Sequence, residues 1–193
     1  FTLNLDYVIL SRTVGPADIA VYSIFSKVST LVIALFASVL SAYWPSSSET
    51  IRRGDFSSLR SIIRRALLIG IILTVGMTAG MLVFRGLIGR LLSPDMHLDM
   101  PILLVPAFFI YCLARIWTDT FSMVIISADK AWVQCIVVPI QAMLSLGLGY
   151  WGALHYGITG YMAGLIASFA LTVAWALPLY VKLGIFKHSR NTA

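Results

Sequence analysis

Long, continuous apolar runs dominate this chain and limit the folds that are open to it. Residues 19–44 run from "IAVYSIFSKV" to "SAYW" with one charged side chain, that of Lys27. A helix needs ~20 apolar residues to cross the hydrocarbon core, and a membrane-embedded backbone must pair its polar groups within helices or a closed barrel. Barrel strands alternate polar and apolar residues over ~10 positions, whereas these runs are unbroken. We therefore expect an all-α, polytopic membrane helix bundle.

Composition agrees with a chain that is surrounded mostly by lipid. Hydrophobic residues make up 59% of it and charged residues only 11%, against about 25% charged residues in a soluble domain. The sequence predicts one lobe of about six transmembrane helices, forming a single domain over residues 1–193. The predicted spans are residues 1–14, 19–44, 66–89, 101–127, 131–153 and 158–181.

Breaks between the runs predict how the helices are connected. The first run is shorter than a full span, so we expect a truncated helix and a chain that is a fragment of a longer protein. Pro45 is expected to end the second helix, because proline cannot donate to the helical ladder. The other connections are mostly short and rich in Gly, Pro, Asp and Ser, which predicts that neighbouring helices run antiparallel.

A cluster of arginines separates the second run from the third. It comprises Arg52, Arg53, Arg60, Arg64 and Arg65. Residues 50–65 also place Phe56, Leu59, Ile62 and Ile63 near one helical face. We predict a short amphipathic helix at the surface of the anionic leaflet. It serves as a topology anchor, with a site for a lipid headgroup or a substrate phosphate as the other possibility.

The distribution of basic residues predicts the orientation of the bundle. If the helices alternate, the arginine cluster, the turn with Lys130 and the C-terminal tail lie on one side of the membrane. That side carries nine Lys or Arg residues, the tail supplying Lys182, Lys187 and Arg190. The opposite side carries three, which are Arg12, Arg85 and Arg90. Because positive residues mark the cytoplasmic side, we expect a cytoplasmic C-terminus.

Four ionisable residues lie within the predicted spans, where charge is unfavourable unless it is paired or functional. Asp6 and Lys27 both come out ~12 Å deep at 1.5 Å per residue, and they lie on helices joined by a tight turn, so they are expected to pair. Arg115 and Asp119 have the i,i+4 spacing of a salt bridge on one helix. Two interpretations stay open: Lys27 and Arg115 face a hydrated cavity and bind an anionic substrate, or both pairs only neutralise each other.

Other motifs point to packing rather than to chemistry. Two small-xxx-small patterns, Gly76 to Gly80 and Gly160 to Gly164, predict close helix contacts. The chain has no nucleotide-binding loop, metalloprotease motif or nucleophile elbow. Its three histidines and two cysteines lack the spacing of metal ligands. We predict no enzymatic activity, no cofactor, no metal site and no nucleic-acid partner.

Two stretches resemble a known family. "NLDYVILSRTVGPADIAVYSIFSKV" and "WPSSSETIRRGDFSSLRSIIRRAL" are similar to segments of the bacterial polysaccharide-biosynthesis flippases. These proteins belong to the multidrug/oligosaccharidyl-lipid/polysaccharide exporter superfamily. The resemblance covers roughly residues 4–70, and the "WP…RRGD" junction and the basic tail look like those of the C-terminal half.

The resemblance implies one of two six-helix lobes around a cavity that opens alternately to each side. It further implies an N-terminal six-helix half in the same parent chain, a bacterial inner-membrane location among membrane lipids, and a polyprenyl-pyrophosphate-linked oligosaccharide as substrate. Cavity cations in this family receive the pyrophosphate, and only Lys27 and Arg115 lie deep enough for that role. These 193 residues alone are then not expected to transport.

Three alternatives remain open at this point. A cation-coupled multidrug exporter of the same superfamily would use carboxylates, and Asp6 and Asp119 are available. A membrane-embedded polysaccharide assembly enzyme would need a polar outer loop, for which "RLLSPDMHLDMP" with Asp95, His97 and Asp99 is the candidate. A scaffold for a polysaccharide-assembly complex is the third.

Overall fold

The computed structural model describes residues 2–92 and 103–185, with side chains over 6–83 and 103–184. Arg85, Arg90, Lys187, Arg190 and the outer-loop residues Asp95, His97 and Asp99 fall outside the described side chains. The helices are α1 Thr2–Thr13, α2 Pro16–Arg52, α3 Phe56–Leu92, α4 Leu104–Ser127, α5 Trp132–Leu171 and α6 Val173–Tyr180, followed by a π-helical turn at Val181–Ile185.

All these elements are helical, which confirms the predicted all-α class. Among the residues that the structure describes, four stretches are long and apolar enough to cross a membrane: Pro16–Arg52, Phe56–Val83, Leu104–Ser127 and Trp132–Gly184. Helix α4 packs against α2, α3, α5 and α6 and so forms the centre of the described bundle. The chain is a multi-pass membrane protein.

The prediction that Pro45 ends the second helix is wrong, because α2 continues to Arg52. Proline removes one backbone donor but does not forbid the helix beyond it when packing holds both flanks. Leu40 before the proline and Ser47 after it are both buried, and the Ser47 hydroxyl contacts the Met123 sulfur at 3.9 Å. Tertiary packing on both sides of Pro45 therefore stabilises a continuous helix.

The predicted separate surface helix over residues 50–65 is also wrong. The stretch is divided between the end of α2, a tight connection in which Gly54 has φ +70°, and the first turns of α3. Leu59, Ile63 and Ala66 are buried in the bundle. This apolar face packs against protein, so the segment extends α3 instead of lying flat on a leaflet.

Helix α5 is a hairpin of two arms, residues 132–155 and 158–171. Tyr156 and Gly157 have non-helical backbone angles, and Gly157 has φ +59°, a conformation that glycine adopts without strain. The reversal falls between the predicted fifth and sixth segments.

Glycines allow the two arms of this hairpin to touch backbone to backbone. A Cβ added to Gly160 would lie 2.1 Å from the Gly152 carbonyl oxygen, and one added to Gly164 would lie 2.4 Å from that of Leu148. The predicted close contact at Gly160 to Gly164 is thus confirmed. The same prediction is wrong for Gly76 and Gly80, where an added Cβ meets nothing within 4 Å among the described atoms.

The buried apolar residues form two clusters, one towards each end of the bundle. One contains Leu10, Phe25 and Tyr161. The other contains Leu59, Val133 and Val181, and it therefore joins the α2–α3 connection, the start of α5 and the end of α6. Tyr111 packs against both clusters, so α4 links the two ends at the level where the polar site lies.

Candidate functional site

Two tyrosines hold the Asp6 carboxylate. The Tyr22 hydroxyl of α2 donates to Oδ2 at 3.1 Å, and the Tyr161 hydroxyl of the second α5 arm donates to Oδ1. The two rings pack edge to face with centroids 5.8 Å apart, and both tyrosines are almost fully buried. The carboxyl group of α1 thus joins three helices through hydrogen bonds from two tyrosine hydroxyls.

The predicted ion pair between Asp6 and Lys27 is wrong. Lys27 is exposed, and within the described part of the chain its ammonium group has no hydrogen-bond or ion-pair partner. It follows Ser26, which lines the cavity described below. The rise per residue predicted that Asp6 and Lys27 lie at equal depth. The orientation of α2 about its own axis, however, directs Tyr22 and not Lys27 towards the Asp6 carboxylate.

Arg115 lies half-way along α4 and forms the predicted pair with Asp119. Its Nη2 is 3.5 Å from Asp119 Oδ2, which is longer than a good charge-assisted hydrogen bond. The guanidinium carbon lies 5.8 Å from the centre of the Phe169 ring, within cation–π range. Its Nε is buried and has no hydrogen-bond partner among the described atoms. The guanidinium is therefore only partly neutralised.

Two adjoining cavities meet at this arginine. The larger has a volume of about 150 Å³ and lies between α1, α2, α4 and the second α5 arm. The smaller has a volume of about 70 Å³ and reaches the first α5 arm. Both are lined by Asp6, Tyr111, Arg115 and Leu165. One carboxylate and one guanidinium thus face the same polar space inside the bundle.

Hydroxyl and amide groups complete the walls. Ser26, Ser29 and Thr30 line the larger cavity from α2. In the smaller cavity, Gln141 donates to Ser145 at 2.8 Å, and Ser145 lies 2.6 Å from Ser168 across the hairpin. These groups can bind a polar or anionic ligand by hydrogen bonds.

The sequence analysis missed Tyr22, Tyr161 and the Gln141–Ser145 pair. Gln141 and Ser145 stand at i,i+4 within a long apolar run, a spacing that places them on one helical face and that was available as a signal. The tyrosines carried no such signal, because tyrosine is also common at membrane interfaces.

The five arginines of the predicted basic surface lie at one end of the bundle and are all exposed. They are Arg52, Arg53, Arg60, Arg64 and Arg65. Arg53 pairs with Glu49 one turn earlier. None of the five lines the two cavities, so this surface and the Arg115 cavities are separate features.

Comparison with known proteins gives one family and several relatives. The MatE family model matches residues 1–151. A "Putative O-antigen export protein" of Yersinia pseudotuberculosis is 34% identical over 176 residues, which are 91% of this chain and 40% of that protein. A "Putative O-antigen transporter" of Salmonella typhimurium is 34% identical over 178 residues, 92% of this chain and 41% of the relative.

A similarly named protein of Salmonella typhi is 30% identical over 178 residues, again 92% of this chain and 41% of the relative. The chain thus spans about two fifths of the length of these relatives. No solved structure matches it. On the family match over most of its length, the chain belongs to the MatE family of the multidrug/oligosaccharidyl-lipid/polysaccharide exporter superfamily.

Proposed function

We propose that this chain is one lobe of a flippase that exports surface polysaccharide precursors across the bacterial inner membrane. The substrate is a polyprenyl-pyrophosphate-linked oligosaccharide, moved by alternating access, and Arg115 contacts its phosphates. The observation that carries this proposal is the partly neutralised guanidinium of Arg115 in a polar cavity inside a membrane bundle. The names of the relatives, O-antigen exporters and transporters, favour a polysaccharide cargo.

Phosphate suits the chemistry of this cavity. Guanidinium offers a rigid fork of donors that matches phosphate oxygens, and here Asp119 engages it only at 3.5 Å. A phosphate can take the place of this weak partner, so that the guanidinium keeps an anionic partner while the Asp119 carboxylate is released. Asp119 then holds the arginine between transport events, and Gln141 and Ser145 offer further hydrogen bonds.

The volume of the cavities limits what they can hold. Pockets for drug-sized ligands have about 300–1,000 Å³, whereas these have about 150 and 70 Å³. They fit a phosphate group and not an oligosaccharide. The sugars and the polyprenyl chain therefore lie outside them, which accords with a second, N-terminal six-helix half of the same parent chain. Lys27 lines neither cavity but is exposed, so it is available to a part of the ligand that lies outside them.

The test is a flipping assay with the natural full-length chain in proteoliposomes. It follows movement of a fluorescent polyprenyl-pyrophosphate oligosaccharide from one leaflet to the other. We expect Arg115→Ala to reduce the rate at least tenfold, Lys27→Ala to reduce it less, and Arg65→Ala, an exposed arginine outside the cavities, to leave it unchanged. Reconstituted amounts and melting temperatures must match.

A fourth variant tests whether Arg115 binds the substrate or only forms a structural ion pair with Asp119. Asp119→Ala removes the ion-pair partner of Arg115, so we expect tighter binding of a soluble pyrophosphate-linked sugar analogue, by about fivefold for a pair worth ~1 kcal/mol. If Asp119→Ala and Arg115→Ala instead lower only the melting temperature, with flipping and binding intact, Arg115 serves packing and its assignment fails.

The second candidate is a cation-coupled multidrug exporter, and Asp6 is the observation that favours it. A carboxylate held by two tyrosine hydroxyls beside a cavity can bind a transported proton or sodium ion. Efflux of small organic cations by the full-length chain, lost in Asp6→Asn and accompanied by no flipping, would replace the flippase proposal. The enzyme alternative depends on an outer loop outside the described residues. The scaffold alternative would be favoured if the upstream coding sequence lacked about six further helices.

A further inference from the structure

An open apolar groove runs along α3 close to its start. Ile63, Leu67, Leu68 and Ile71 of α3 line it together with Phe121 of α4, and its volume is about 380 Å³. Arg60 and Arg64 also line it and precede Leu67, Leu68 and Ile71 on the helix. The groove is therefore basic at one end and apolar along the rest of its length.

The register of α3 produces this arrangement. Arg60, Arg64, Leu67 and Ile71 follow one another at intervals of four, three and four residues, which places them on one helical face. Eleven residues separate Arg60 from Ile71, a distance of ~16 Å along the helix. This is about half of the ~30 Å hydrocarbon core, so the groove has the depth of a single leaflet.

The basic end of the groove is open to an anionic group. Both arginine side chains are exposed. Within the described part of the chain, Arg64 has no ion-pair or hydrogen-bond partner. Guanidinium groups bind phosphate oxygens through their fork of donors. They favour an anionic phospholipid over a zwitterionic one, in which a cationic group offsets the phosphate charge.

We propose that this groove binds one anionic phospholipid from the leaflet on the arginine side. Its phosphate lies between Arg60 and Arg64, and one acyl chain follows Leu67, Leu68 and Ile71. The groove shares no lining residue with the Arg115 cavities, and its depth fits an acyl chain of one leaflet rather than a much longer polyprenyl chain. This inference does not depend on the transported substrate.

Native mass spectrometry of the natural full-length chain, stripped of lipid, tests the proposal. Phosphatidylglycerol and phosphatidylcholine are added in turn, and the dissociation constant of the first bound lipid is measured. We expect phosphatidylglycerol to bind more tightly. Arg64→Gln should weaken it by about fivefold, the effect of one basic residue at an anionic surface, and Arg60→Gln by a similar factor.

Two further variants make the test specific. Arg65→Gln is the matched control, because Arg65 is the exposed neighbour of Arg64 and does not line the groove; we expect less than a twofold change. Leu68→Trp fills the apolar part and should weaken binding although both arginines remain. Melting temperatures of all variants establish that the fold is retained.

Three results would overturn the proposal. Equal losses in Arg64→Gln and Arg65→Gln would show general attraction to a basic surface. Equal affinities for the two lipids, which both carry a phosphate, would exclude a site that selects the net negative charge of the lipid. Absence of a tightly bound lipid on the wild-type chain would show that another part of the full-length protein covers the groove.

Discussion

Asp6 places a carboxylate among apolar helices, where a charge without hydrogen-bond donors is strongly unfavourable. Tyr22 and Tyr161 supply the donors. Spacing along the chain predicts how deep each group lies, which is why Asp6 and Lys27 were expected to meet. The partner also depends on the rotation of each helix about its axis. That rotation is set by packing, here of Tyr22 against Phe108 with centroids 5.7 Å apart.

Removing one of these donors should destabilise the bundle measurably. A hydrogen bond to a charged group contributes about 1.5–3 kcal/mol, so we expect Tyr161→Phe to lower the melting temperature in detergent. Tyr43→Phe is the control, because the Tyr43 hydroxyl has no hydrogen-bond partner among the described residues. When Asp6 is already replaced by Ala, Tyr161→Phe should lower the melting temperature little further. An equal loss in both backgrounds would mean that Tyr161 stabilises the bundle through its ring alone.

Asp55 is a second carboxylate that is stabilised by hydrogen-bond donors, and it lies outside the membrane spans. It precedes α3, and its Oδ1 accepts hydrogen bonds from the Ser57 hydroxyl at 2.7 Å and the Ser58 backbone N–H at 3.1 Å. Hydrogen bonds from Ser58 and then Ser57 lower the pKa of this carboxyl from its usual value of 3.8 to about 2. The ionised form is thus the one that the folded chain favours.

The sign of this shift gives a pH-dependent prediction. Because the pKa is lower in the folded state, the stabilisation is complete above pH 3.8 and is lost as the pH falls through about 2. Asp55→Ala should therefore lower the melting temperature at pH 7, and this difference should shrink as the pH approaches 2. Asp55→Asn can still accept a hydrogen bond from the Ser58 N–H, so its melting temperature at pH 7 should fall less than that of Asp55→Ala. A difference that is constant over this range would exclude the charge as its cause.

At the scale of helices, the apolar runs predicted where the chain is helical better than where each helix ends. The four long apolar stretches follow directly from hydrophobicity, and the last of them contains the reversal within α5. The continuation of α2 through Pro45 could not be predicted, since it depends on what Leu40 and Ser47 contact. The reversal at Tyr156 and Gly157 was marked by turn chemistry, because glycine tolerates the φ of +59° found there.

The α5 hairpin provides a prediction about helix packing. In Gly160→Ala the new methyl would lie 2.1 Å from the Gly152 carbonyl oxygen, so the arms must separate. Overpacking of this kind costs about 1–3 kcal/mol. Gly147→Ala is the matched control, because an added Cβ there meets nothing within 4 Å and alanine favours the helix by roughly 0.5–1 kcal/mol. Thermal unfolding should show a lower melting temperature for Gly160→Ala and a higher one for Gly147→Ala. A change in the same direction for both variants would contradict the close approach of the two arms.

For the molecule as a whole, the two apolar clusters establish which connections share an end. The α2–α3 connection, the α4–α5 turn and the end of α6 all border one cluster, as expected for alternating helices. The side of the membrane on which this end lies follows only from the excess of basic residues, and the cytoplasmic location of the C-terminus stays a prediction.

Cysteine labelling in intact cells tests that orientation. In a full-length chain without its native thiols, Ser57→Cys and Lys130→Cys should resist a membrane-impermeant maleimide until the cells are lysed. Gly15→Cys, in the connection between α1 and α2 at the other end, should react in intact cells. The opposite pattern would invert the topology, and labelling of Ser57→Cys and Lys130→Cys from different sides would contradict the alternating arrangement.

The hydrogen bond between Asp6 and Tyr161 also has a consequence for biogenesis. Its two residues are 155 positions apart, and a ribosome adds about 5–20 residues per second, so Asp6 is synthesised ~8–30 s before this partner. During that interval α2 provides one tyrosine hydroxyl and the second oxygen has no donor from α5. The carboxylate is fully accommodated only after the α5 hairpin has inserted, so in a nascent chain arrested before α5 one of its oxygens lacks the hydrogen bond that the complete bundle provides.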